Sequence, residues 1–194
     1  LSSAKLALQD ALEASTLVDD PVNDALLIAR FPTAMRKTYA QEIRTHRLRR
    51  EMIATSLANR MVNRLGMVHP FELAEEEGVG LAEVAGAFVV AERLFGLDAL
   101  WRELDAAAIP EAARLVLFDR LAAAVGNLMS DVLRTAAGKV AAGAMIDALQ
   151  KDVTTLIAGR EELLTDEPRA RSKALQASFV AGGSPEALAG RVAA

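Results

Sequence analysis

Cysteine is absent from the 194 residues. Disulfides and thiol chemistry are therefore excluded, and a reducing cytosol is the natural compartment. Aromatic residues are scarce, at 4%, although 52% of the chain is hydrophobic. The apolar content is consequently carried by Ala, Leu and Val. Ala and Leu are among the best helix formers, and Ala lets helices approach closely. Long apolar runs are missing too. The longest stretch without a charged side chain covers 174–185 and contains Gly182 and Gly183. A membrane span needs roughly 20 apolar residues, so none is expected. The first ten residues have no basic stretch leading into an apolar run, so no signal peptide is expected either. Nor is there an excess of positive charge: the net charge of −4 offers no general attraction to nucleic acid.

What the chain does have is helical punctuation. Its length is enough to bury a core, and 25% charged residues make a normal globular surface. Ser3 opens a helix over 3–14 with Leu6, Leu8 and Leu12. Asp20-Pro21 supplies a cap and a first-turn proline for a helix over 21–31, which must stop before Pro32. Thr33 restarts a helix reaching about Arg44, and another covers 46–65, closed by Gly66. Shorter helices are expected over 70–77, 81–95 and 97–107, separated at Gly78, Gly80 and Gly96.

Pro110 opens the longest segment, 110–137, whose Leu115, Phe118, Leu121, Val125, Leu128 and Val132 step by three or four as one buried face. Gly138 ends it, and 139–164 repeats the pattern with Val140, Ala144, Leu149, Val153, Leu156 and Leu163. The two predict a long antiparallel helical hairpin in the C-terminal half. Helices over 169–180 and from Ser184-Pro185 onward complete the series. No segment alternates with period two, so the fold class is all-α, a multi-helix bundle. We expect one helical domain over 1–194, with a weak seam near 108–110. The start at Leu1 and the stop inside the helical pattern of 190–194 lead us to expect a fragment of a longer chain.

The most distinctive segment is 46–66, unusually rich in Arg and Asn. At 100° per residue, Arg49, Arg60 and Arg64 form one basic stripe, while Asn59 and Asn63 sit within or beside the apolar arc. Glu51 also falls in that arc, with Arg47 four residues back as a partner. The favoured reading is a buried polar network that sets helix register, its arginines salt-bridged to neighbouring helices. The alternative, an anion or nucleic-acid surface, needs a basic field that this acidic chain lacks.

Other constellations lead to structure rather than chemistry. Gly78-Val79-Gly80 has Glu83 where a dinucleotide loop needs its third glycine, and an acidic helix precedes it instead of a strand. Glu75-Glu76-Glu77 points its carboxylates apart, as a solvated helix end does. His46 and His69 stand without ligands at metal spacing, and no serine has a histidine partner for a triad. Trp101 reads as a core anchor. No catalytic, cofactor-binding or metal residue is expected in these 194 residues. The structural or interaction candidates are Arg49, Arg50, Glu51, Asn59, Asn63, Arg64 and Trp101.

Arg49-Arg50-Glu51, Ile53-Ala54-Thr55, Ala58-Asn59 and Val62-Asn63-Arg64 together resemble a segment of the large bacterial NAD-dependent glutamate dehydrogenases. The resemblance extends to Phe31-Pro32 before this block. After it come Phe71, Glu75-Glu76, Gly78, Leu94-Phe95-Gly96-Leu97, Leu100-Trp101 and the turn and helix of 184–189. The chain departs from the family pattern at Arg47, at Glu77, where threonine is common, and around Val132-Leu133-Arg134, where a tryptophan is missing. The resemblance implies the C-terminal helical region of an enzyme that deaminates glutamate oxidatively to 2-oxoglutarate and ammonia with NAD, in amino-acid catabolism. The glycine-rich nucleotide fold and the catalytic lysine would lie in an upstream dehydrogenase domain, so this region would bind no cofactor itself. It would serve architecture, assembly or regulation in a homo-oligomeric, cytoplasmic parent, with no nucleic-acid or membrane partner. The competing reading is an independent helical protein–protein interaction module.

Overall fold

The computed structural model describes residues 3–194, and among these residues there are helices and turns but no strand. The fold is all-α. Twelve α-helices follow one another among the described residues: α1 (Ser3–Ala14), α2 (Asp24–Ala29), α3 (Thr33–Thr38), α4 (Ala40–Arg44), α5 (Arg49–Leu65), α6 (His69–Glu77), α7 (Leu81–Leu94), α8 (Leu97–Ala106), α9 (Glu111–Thr135), α10 (Ala142–Leu163), α11 (Asp166–Ala181) and α12 (Glu186–Ala193). None is long and apolar enough to cross a membrane. The chain forms two compact units: Leu1–Val90 with Leu128–Asp147, and Ala91–Asn127 with Ala148–Ala194. Helices α7, α9 and α10 each supply residues to both.

In the first unit α1 packs against α5. Leu8 and Leu12, four apart on α1, are fully buried, as are Ile53, Ala54, Leu57, Ala58 and Met61 on α5. The two alanines, again four apart, leave the room for close approach, and the leucines fill it. Each such leucine contributes about 1.5–3 kcal/mol through burial. Gly66 ends α5 at φ +80, a conformation costly for any residue with a Cβ, and donates its N–H to the Val62 carbonyl.

The segment between α1 and α2 is tighter than one helix over 21–31. It winds into two 3-10 turns, Thr16–Asp19 and Pro21–Asn23, before α2 begins. Asp20 caps the second turn as expected, accepting from the Val22 N–H at 3.0 Å, and Pro21 follows at its first position. The Asn23 backbone N–H then donates to the Asp20 carbonyl, three residues back, which sets the 3-10 winding. The buried Asn23 side chain donates to the Leu17 carbonyl at 2.9 Å. The helix expected over 33–44 is likewise divided, at Tyr39, where Thr38 and Tyr39 are both weak helix formers.

The second unit is built around Trp101 of α8, fully buried with its ring centroid 5.0 Å from that of Phe118 on α9. Arg114 of α9 donates to the carbonyls of Leu104 (2.6 Å), Asp105 (3.0 Å) and Ala107 (2.7 Å), so one guanidinium satisfies the C-terminal end of α8. Helices α11 and α12 pack together and α12 reaches α8, where Arg191 pairs with Glu103.

The buried stripe of α9 keeps Leu121, Val125 and Val132 of the expected one but otherwise runs through Ala113, Leu117, Met129 and Leu133, whereas Leu115 is 57% exposed. The segment is rich enough in aliphatic residues to offer two overlapping stripes, and packing selects one. In α10 only Ala142 and Ile146 are buried, and Leu156 and Leu163 of the expected stripe lie exposed.

Candidate functional site

The Arg-rich start of α5 is where the sequence points, and the structure turns it inward onto the chain. Arg49 donates from Nη2 to Asp24 Oδ1 at 2.8 Å and to the Asp19 carbonyl at 3.5 Å, and from Nη1 to the Val18 carbonyl. Arg50 donates to the Glu13 carbonyl at 2.7 Å, to the Ser15 carbonyl at 2.9 Å, and to the Asp19 carboxylate. Arg44 completes the cluster with Nε 3.3 Å from Asp24 Oδ2. Three guanidiniums thus meet two carboxylates and four backbone carbonyls between the last turn of α1 and the start of α2. Cations are favoured there by the negative end of the α1 dipole and by carbonyls that helix geometry leaves unpaired. Chemically, the cluster staples the α1–α2 connection to α5.

The rest of the expected network is only partly gathered. Glu51 and Asn59 are half-buried, as are Arg60 and Arg64. Asn63 is exposed, contrary to its expected place in a buried network. It lies at the edge of the α5 apolar arc, near the end of the helix, and is not covered there. No ion pair joins Glu51 to Arg47 among the described residues; Arg47 lies exposed before α5 begins. Trp101 is fully buried, in the other unit.

Two features escaped sequence reasoning. Asp20, legible as a local cap, also accepts the Gly143 N–H at 2.8 Å in the first turn of α10. Glu77, expected at a solvated helix end, keeps only 12% of its side chain exposed. Arg134 of α9 grips it with two hydrogen bonds, Nη2 to Oε1 at 2.7 Å and Nε to Oε2 at 3.2 Å. That hydrogen bonding, with a further one from Ser130, holds the Glu77 carboxyl below its ordinary pKa and raises that of Arg134. No local signal could have paired residues so far apart in sequence.

Among the described residues no group of three His, Asp or Glu side chains gathers to hold a metal. The histidines serve the fold: His46 Nδ1 accepts the Leu48 N–H at 3.1 Å and its ring meets Phe31 edge-on, while His69 opens α6.

Residues 1–194 match the family model described as glutamate dehydrogenase, C-terminal. The chain belongs to this family. It is 32% identical to the NAD-specific glutamate dehydrogenase of Mycobacterium tuberculosis in an alignment covering 99% of this chain. The enzymes of the same name from Halomonas elongata and Pseudomonas aeruginosa are 30% and 28% identical over the whole chain. In all three cases this chain spans only 12% of the relative's length. Within this glutamate dehydrogenase C-terminal chain, Glu77 and Arg134 lie against each other as an ion pair.

Proposed function

We propose that these 194 residues act as one helical domain in a longer NAD-dependent glutamate dehydrogenase, supporting its architecture, assembly or regulation while the chemistry is done elsewhere in the chain. The parent reaction is then the oxidative deamination of glutamate to 2-oxoglutarate and ammonia with NAD. The observation that carries the reading is the family match along the whole chain, combined with the small share of each relative that it occupies. The geometry supports the accessory part. The candidate arginines Arg49 and Arg50 are spent on the chain's own carbonyls and carboxylates, which leaves them unsuited to hold a nucleotide. A pyrophosphate site of the dinucleotide kind would also need a strand, a glycine loop and a helix in succession.

Titration calorimetry of the isolated chain with NAD tests this directly; no binding is expected, and micromolar affinity overturns the accessory role. Deleting 1–194 from the full-length enzyme should lower glutamate-dependent NAD reduction and disturb its assembly. A fully active, normally assembled truncation would make the region dispensable.

A further inference from the structure

We draw no further inference here: the strongest candidate, the groove that Arg160, Glu161, Glu186 and Arg191 line between α10, α11 and α12, already pairs its arginines with Glu161 and Glu103, and nothing in the structure shows what covers it.

Discussion

The carboxylate of Asp20 closes the first turn of α10 through Gly143, 123 residues further along the chain. One oxygen takes the Val22 N–H at 3.0 Å and the other takes the Gly143 N–H at 2.8 Å. A single side chain therefore caps a local 3-10 turn and the positive end of a distant helix. Gly143 permits this: a Cβ there would lie 2.7 Å from the carboxylate.

Asp20→Ala should destabilise the chain by about 1–2 kcal/mol, the usual loss for a helix cap. Asp20→Asn, which keeps one carbonyl acceptor of the two, should fall between. Urea denaturation of the three proteins checks the order; an unchanged midpoint for Asp20→Ala would show that the distant cap contributes nothing.

Arg50 makes its contacts through a planar fork that lysine cannot reproduce. Arg50→Lys should keep one of the Glu13, Ser15 and Asp19 contacts and lose the others. We expect a cost of about 1–2 kcal/mol for Arg50→Ala, as hydrogen bonds from a charged donor disappear, and a partial loss for Arg50→Lys. Full rescue by lysine would mean that charge alone matters.

The Glu77–Arg134 pair should give stability a pH dependence. Folding lowers the Glu77 pKa, chiefly through the Arg134 hydrogen bonds. Its contribution is then complete above the unfolded carboxylate pKa, about 4.3, and is lost as pH falls through the lower folded value. Glu77→Gln should therefore melt below the wild type at pH 7, with the two melting curves converging in acid. A constant gap down to pH 2 would contradict the assignment.

Asn63 offers the clearest split between a structural and an interaction role. It is exposed, so Asn63→Leu should change the stability of the chain by no more than about 0.5 kcal/mol. If Asn63 contacts the rest of the parent enzyme, the same substitution should still lower the full-length activity. Thermal melts of the short chain and rates of the long one separate these effects, and a large loss of stability in the short chain would return Asn63 to a buried network.

Helix existence along this chain is a local matter, which is why the sequence alone determined it. Ala and Leu favour the helix, Pro21, Pro32 and Pro110 restrict where one can start or continue, and Gly66, Gly78 and Gly138 mark ends at positive φ. Each of these preferences acts within a turn or two of the backbone. Aliphatic abundance also announced a helical core, and Trp101 had little alternative to anchoring it. What only the tertiary structure decided are the choices that local preference leaves degenerate. α9 could bury Leu115 or Leu117, and packing buries Leu117. Arg49 and Arg50 could face a ligand or the chain, and the carbonyls in and just after the last turn of α1 claim them. Glu77 could be solvated, and Arg134 captures it from 57 residues away. Hydrogen bonds and close packing depend on distances of a few ångströms between segments remote in sequence, and no periodicity within one segment encodes them.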